Sequence, residues 1–412
     1  MINGLAFWLI LVALFVFAYL MGMRKAAARL AAARAVPPVL PTEEVAAMEA
    51  KLEPYLFITG RKIAGEMFQF EGRLKCEPDE AYRQIREALA GEPVTPMLLE
   101  GNEHDVRVMV LPGELAGQGV EKPKWAVHWL LFAATMATTT WAGALDAGVN
   151  LLQQPGKFAV GLPYSLGLLL ILGAHELGHY FTAKAHGIRV TPPFFIPVPF
   201  ALGTFGAFIK IKSFTPNRQA LFDVAVAGPL AGLVFAIPAL LIGLHYSQVI
   251  PNGSPDMLDS NGVQIGSSVL LACLAKISLG ASAYDHLSLH PLAFAGWLGL
   301  IVTALNLAPI GQLDGGHISH ALFGSRQAQK ISMVAMALLF LLAMFVWPGM
   351  ILWAFIVFFI AGTRDTPAAN DVSPLDPGRK LLGYFTFFLL LLIIMPVPRV
   401  LFEKIGLHSP YL

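Results

Sequence analysis

Nine apolar or small residues, Leu166 to Ala174, run without a break into His175-Glu176-Leu177-Gly178-His179. A run of this kind fits a bilayer-spanning helix, where ionisable groups are costly and by default mark a functional site. Three polar groups on one turn of such a helix need partners, because a buried polar group without one is expensive. A metal ion supplies a partner in one stroke. The alternative, a pair of satisfied core histidines on a membrane helix, is the less favoured explanation.

The spacing sharpens this. Along a helix, positions four apart lie roughly 40° apart around the axis and one turn apart along it. His175 and His179 can therefore present ring nitrogens to one ion, while Glu176 points about 100° away and suits a general base acting on water at the metal. His-Glu-x-x-His is the spacing of zinc peptidases, and a chain with 11 histidines would match it by chance roughly once in a hundred. A catalytic zinc takes three protein ligands and leaves a fourth position open, so a third ligand must come from elsewhere.

The search leads to Asn306-Leu307-Ala308-Pro309-Ile310-Gly311-Gln312-Leu313-Asp314-Gly315-Gly316-His317. This segment follows an apolar run that places Asp314 near the end of a span, at the depth of His179. Pro309, Gly311, Gly315 and Gly316 are expected to loosen the helix and let a short carboxylate turn inward. Asp223, Asp285 and His317 compete for the role. Asp223 starts a span near Lys212 and Arg218, where helix-start or ion-pair duty fits better. Asp285 falls in a loop on the opposite face, and His317 lies past the glycines, behind the ligands. Asp314 is the favoured third ligand.

Whether these segments lie in a bilayer is a question of composition. Of 412 residues, 56% are hydrophobic and 13% charged, against about 25% charged in soluble domains. A polytopic helical membrane protein follows. A net charge of +1 and the lack of a dense Lys/Arg block argue against a nucleic-acid partner. Cys76 and Cys273 are too few for a disulfide framework or a cysteine-based zinc site.

Spans are expected at 2–23, 125–145, 162–183, 219–246, 291–313, once or twice within 331–361, and at 381–397, seven or eight in all. Residues 263–280 are weakly apolar and suit a re-entrant or interfacial segment. The expected organisation is an N-terminal anchor with its basic flank (1–36), a soluble α+β module (42–121), a membrane-embedded core (122–324) and C-terminal membrane helices (325–412). Placing Lys122, Lys124, Lys184, Arg189, Lys210, Lys212, Arg218, Arg326, Lys330, Arg364, Arg379 and Lys380 on the cytosolic side gives a consistent weave. That weave puts the histidine turn near the cytosolic end of its helix. No transit-peptide-like stretch precedes the first span, so a cell inner membrane is expected over a plastid.

In the soluble module, Thr42-Glu43-Glu44 reads as a helix start, and Phe68 and Phe70 mark a strand within 65–75. Pro78 opens a helix with Ala81, Tyr82, Ile85 and Leu89 on one face; strands follow at 94–100 and 106–111 around a polar turn that includes His104. The module has no cluster of catalytic residue types, so a regulatory partner is its expected use.

His175-Glu176-Leu177-Gly178-His179 on a membrane helix, with Asn306-x-x-Pro309 and Leu313-Asp314-Gly315-Gly316 on a later one, resembles the site-2 protease family of intramembrane zinc metallopeptidases. Phe205-Gly206-Ala207-Phe208-Ile209 and Asp223-Val224-Ala225-Val226-Ala227-Gly228-Pro229-Leu230-Ala231-Gly232 match as well, and the resemblance covers about 125–324. It implies one Zn2+ per chain held by His175, His179 and Asp314, water activated by Glu176, and Asn306 stabilising an oxyanion or positioning the substrate. The implied reaction is hydrolysis of peptide bonds within or next to transmembrane segments of membrane proteins. Many bacterial members carry a PDZ-type domain between the two motifs. Here the interval is 135 residues (314 − 179) and mostly apolar, which looks more like the cyanobacterial and chloroplast branch and its bacterial relatives.

A transmembrane substrate must unwind before its carbonyls can be attacked. Pro192, Pro193, Pro197 and Pro199 prevent a regular helix, and Ile209-Lys210-Ile211-Lys212 alternates as a strand. Residues Phe194 to Lys212 are therefore expected to form a membrane-dipping β-loop whose edge pairs with unwound substrate; a surface hairpin is the plainer alternative. Two other functions compete. A metal-ion transporter or storage protein would show repeats and ionisable groups along a path, and a catalytically idle scaffold would show a broken motif.

Overall fold

The computed structural model of the protein describes residues 42–64, 67–102, 105–113, 123–250, 268–280, 286–345, 351–363 and 365–395. The expected anchor at 2–23, His104 and Asp285 lie outside them. Two compact units emerge: one within Met1–Gln118, Leu339–Gly362 and Pro367–Ser373, the other within Gly119–Leu338, Thr363–Thr366 and Pro374–Leu412.

The first unit contains α1 (Thr42–Leu52), β1 (Leu56–Ala64), β2 (Met67–Leu74), α2 (Pro78–Ala88), β3 (Val94–Glu100) and β4 (Val106–Pro112). The strands form an antiparallel sheet in the order β1-β2-β4-β3. Phe68, Phe70 and Gly72 alternate inward along β2, as a half-buried strand must. Ala81 and Ile85 are the buried residues of α2, whose opening Pro78 forfeits only an amide that has no helical partner anyway. Leu52, Leu56, Phe70, Ile85, Leu98, Val108 and Val110 form the centre of the core. Strand β1 is not evident in the sequence because an irregularity between Ile58 and Gly60 shifts its register midway, which breaks the alternation. Residues 367–373 return to β3: the Leu98 amide donates to Ala369 O at 2.7 Å and the Asp371 amide to Leu98 O at 2.8 Å. Asn370 and Ser373 side chains donate to Asp79 Oδ1 at 3.0 and 2.5 Å.

The second unit is built on α3 (Trp125–Asp146), α4 (Leu162–Ala185), β5 (Phe194–Pro197), β6 (Thr204–Phe208), α5 (Arg218–His245), β7 (Gln248–Ile250), α6 (Val269–Leu279), β8 (His286–Ser288), α7 (Pro291–Leu307), α8 (Asp314–Phe323), most of α9 (Ser325–Phe345), and α11 (Pro377–Ile394); α10 (Ile351–Ile360) belongs to the first unit. Among the described residues, four helical segments are long and apolar enough to cross a membrane: 155–185, 218–245, 325–345 and 377–394. The protein is thus mostly helical and membrane-spanning.

One expected span comes out shorter. The 291–313 span stops at Leu307, because Ala308 turns extended (φ −57, ψ 131) ahead of Pro309, as residues before proline prefer. Within 263–280 the helix is the 11-residue α6.

Helix α4 packs against both α5 and α7, around Tyr164, Leu168, Ile171, Phe222, Ala236, Leu240 and Leu300. Asp223 lies in the first turns of α5, where Arg379 grips it bidentately (Nε–Oδ1 and Nη2–Oδ2, both 2.7 Å) and His186 Nε2 reaches Oδ2 at 3.0 Å. Ion-pair duty for Asp223 is thus what the fold uses.

Strands β5 and β6 pair as an antiparallel hairpin with Phe194 opposite Phe208. The strand expected at 209–212 lies earlier, at Thr204–Phe208, and beyond it only a single bridge, Ile211 to Val190, remains. The register is set by where the proline-bounded β5 begins and ends, which alternation at Ile209 and Ile211 does not sense. The turn is fastened by Tyr164 Oη donating to Leu202 O at 2.9 Å and Thr138 Oγ1 donating to Gly203 O at 2.7 Å. At the other end His128 Nδ1 donates to Pro193 O at 3.0 Å.

Candidate metal centre

His175 and His179 project from α4 and Asp314 from the first residue of α8, and all three face one point. The two Nε2 atoms are 3.1 Å apart, His175 Nε2 lies 3.3 Å from Asp314 Oδ2, and His179 Nε2 lies 3.4 Å from Asp314 Oδ1. Ligands about 2.0–2.1 Å from a tetrahedral ion are about 3.3–3.4 Å from one another. The two imidazoles are at that spacing or just under it, each meets its own carboxylate oxygen, and one donor atom from each residue lies within 4.8 Å of the others, so the three can converge on one ion. Two imidazole nitrogens and a carboxylate oxygen are also the borderline donor set that suits zinc-like ions.

Tautomer and orientation come from behind the ring. His179 Nδ1 donates to the Val224 carbonyl at 2.7 Å, which leaves the Nε2 lone pair facing the other two donors. Gly228, one turn along α5 from Val224, makes room for that ring: a Cβ at this position would fall 2.1 Å from His179 Nε2. The small residues of the Gly228-Pro229 segment do serve close packing, and what they admit is an imidazole.

Asp314 arrives by a tight reversal, not by a loosened helix. After α7 ends at Leu307, residues 308–313 turn back, with Gly311 in left-handed backbone (φ 46) and its amide donating to Ser332 Oγ at 2.8 Å. A Cβ on Gly315 would lie 2.0 Å from the Leu307 carbonyl, and one on Gly316 would lie 2.0 Å from that of Gly311. The glycines are needed for backbone-on-backbone contact that starts α8 at the carboxylate. This corrects the expectation that they merely loosen a continuous span.

Glu176 is buried on α4 beside these donors and accepts from the Ile209 backbone amide, just past β6. Asn306 Nδ2 lies 3.3 Å from His175 Nε2. All five residues singled out in the sequence thus come together, with one end of the hairpin against the glutamate.

Residues 163–346 match the model of peptidase family M50. Those residues are similar to that family. Among curated proteins, the chain is 31% identical to the Probable zinc metalloprotease EGY2, chloroplastic, of Arabidopsis thaliana, over 83% of the chain and 62% of the relative. It is 33% identical to the Probable zinc metalloprotease EGY1, chloroplastic, of the same plant, over 60% of the chain and 45% of the relative. A third, the Probable zinc metallopeptidase EGY3, chloroplastic, is 26% identical over 86% of the chain and 65% of the relative. The chain thus spans about half to two thirds of the length of these relatives. No solved structure matches it.

Around this site the fold also brings in groups that sequence patterning did not find. Asp365 reaches His317 and His320, placing His317 in a carboxylate pair instead of among the ligands. The Val224 carbonyl and the Ile209 amide carry no side-chain signal at all. Asp365 had none either, since it lies 51 residues (365 − 314) from Asp314 in a short polar stretch.

Proposed function

We propose that this chain is an intramembrane zinc metalloendopeptidase that hydrolyses peptide bonds within or next to transmembrane segments of membrane proteins. His175, His179 and Asp314 hold one Zn2+. The convergence of one donor atom from each of these three residues beside Glu176 is the observation that carries the proposal. The names of the chloroplastic relatives, zinc metalloproteases, agree with it. A transport or storage role is not favoured: among the described residues one group of His, Cys, Asp and Glu can hold a metal, not a path of them.

When bound, zinc supplies a Lewis acid that acidifies water and polarises a carbonyl. The chain's own residues do the rest. Glu176 accepts the proton of the attacking water at its carboxylate and returns it to the leaving amide nitrogen. Asn306 Nδ2 donates to the carbonyl oxygen as negative charge develops there. Val224, through His179, fixes which nitrogen faces the ion.

The hairpin from Phe194 to Lys212 dips into the membrane and offers a strand edge to the unwound substrate. Ile196, Phe200, Phe205 and Phe208 are exposed on it, and an apolar exposed hairpin beside the proton acceptor suits that task. The full chain crosses the membrane seven or eight times, with the centre toward the cytosol of a cell whose inner membrane it occupies; the basic flanks support this orientation. The 42–121 module faces water and takes a regulatory partner.

The test is cleavage of a synthetic membrane-spanning peptide by the purified chain in lipid. Cleavage lost with a chelator and regained with zinc supports the assignment; cleavage indifferent to both overturns it.

A further inference from the structure

Asp365 bridges two histidines of the helix that begins with Asp314. Its Oδ1 lies 2.6 Å from His317 Nδ1 and its Oδ2 lies 2.8 Å from His320 Nδ1. The His320 contact is a hydrogen bond, whereas His317 Nδ1 is off the hydrogen-bond line and the contact is one of charge. Burial alone would raise the Asp365 carboxyl, but His317 and then His320 outweigh it and hold it well below the usual carboxylate range. Burial likewise disfavours charge on His317, and the Asp365 carboxylate outweighs it and raises the imidazole. A buried charged cluster is poor evidence of stabilisation in itself, and its best-attested use is to fix one arrangement.

The arrangement it can fix is the rotation of α8. Asp314 and His317, and His317 and His320, are each neighbours three residues apart, the row drifting about 60° around the helix per step. The helix has 10 residues; Gly315 and Gly316 seat its start against the Leu307 and Gly311 carbonyls, and the Asp365 contacts meet it further along, at His317 and His320. A carboxylate about 5–6 Å off a helix axis moves about 1 Å for a rotation of about 10°. Metal–ligand distances tolerate about 0.2 Å. A few degrees therefore decide whether Asp314 reaches an ion held by the two histidines.

We propose that Asp365 is a positioning residue for the metal centre: through His317 and His320 it holds α8 at the rotation that brings Asp314 to His175 and His179. This rests on the zinc assignment above and adds a second control point to the same site. The segment 363–366 that carries Asp365 thereby sets metal affinity without touching the metal.

The test uses the full chain in detergent as wild type, Asp365→Ala, Asp365→Asn, His317→Ala and the Asp365→Ala/His317→Ala double variant. Zinc affinity is measured by chelator competition. Co2+ in place of zinc gives a visible spectrum that reports ligand number and geometry, which loss of a remote structural contact would not alter. Expected are an affinity about 10–100-fold lower for Asp365→Ala, a changed cobalt spectrum, and a double variant no weaker than Asp365→Ala. Wild-type affinity and spectrum in Asp365→Ala overturn the positioning role and leave the zinc assignment standing, as does a fully additive double variant. Should Asp365→Ala fail to fold, Asp365→Asn and His317→Ala decide by the same criteria. Wild-type protein without stoichiometric zinc overturns both.

Discussion

The Nδ1 nitrogen of His179 sits 2.7 Å from the carbonyl oxygen of Val224, an α5 backbone atom that the sequence gives no reason to single out. The bond fixes the tautomer that leaves Nε2 free to bind a metal, and it ties the ligand helix α4 to its neighbour. A hydrogen bond of this kind works only if the two helices approach closely, which is where Gly228 enters.

Gly228→Ala tests the approach. Alanine is the better helix former by about 1 kcal/mol, so on propensity alone the change should stabilise α5. The added Cβ would instead meet His179 Nε2 at 2.1 Å and displace the ring. The expected outcome is zinc affinity about 10–100-fold weaker with helical content retained, read by chelator competition and circular dichroism. Unchanged affinity would mean that the ring does not occupy this position.

Glu176→Gln separates base from ligand. Glu176 is buried beside the donors but is not one of the three. The variant should keep its zinc and lose about 10²–10⁴-fold in cleavage rate, measured on a membrane-spanning peptide. Zinc lost together with activity would make Glu176 a ligand.

Asn306→Ala probes the developing oxyanion. Its amide nitrogen is 3.3 Å from His175 Nε2, close enough to serve a group bound beside the histidine. The expected result is a fall in kcat of about 10²–10³-fold with zinc content unchanged. A rise in KM alone would give Asn306 a substrate-positioning role.

Phe70→Ala addresses the other unit. Phe70 is 1% exposed in the core between the sheet and α2, and truncating such a residue costs about 3–5 kcal/mol. Amide protection in β2 and β4 should fall in hydrogen exchange of the full chain. Retained protection would place Phe70 outside a packed core.

The three residues proposed as ligands were legible because they obey two local codes, helical i,i+4 spacing on α4 and an apolar run broken by Pro309, Gly311 and Asp314. Strands β2, β3 and β4 and helix α2 were legible through alternation at Phe68 and Phe70 and through Pro78. What remained hidden depends on long-range geometry. The end of α7 at Leu307 follows from a reversal whose tightness only the contact of Gly315 with the Leu307 carbonyl reveals. Strand β6 starts at Thr204 because its antiparallel partner ends opposite it, at Pro197, and Asp365 meets His317 only once the chain has folded back.

The central claim is that three side chains from α4 and α8 hold one ion. Zinc per chain, measured by elemental analysis of purified full-length protein as wild type and as Asp314→Ala, tests it most directly. One equivalent in the wild type and markedly less in Asp314→Ala is the expected result. A wild type without zinc, or an Asp314→Ala variant that retains a full equivalent, contradicts it.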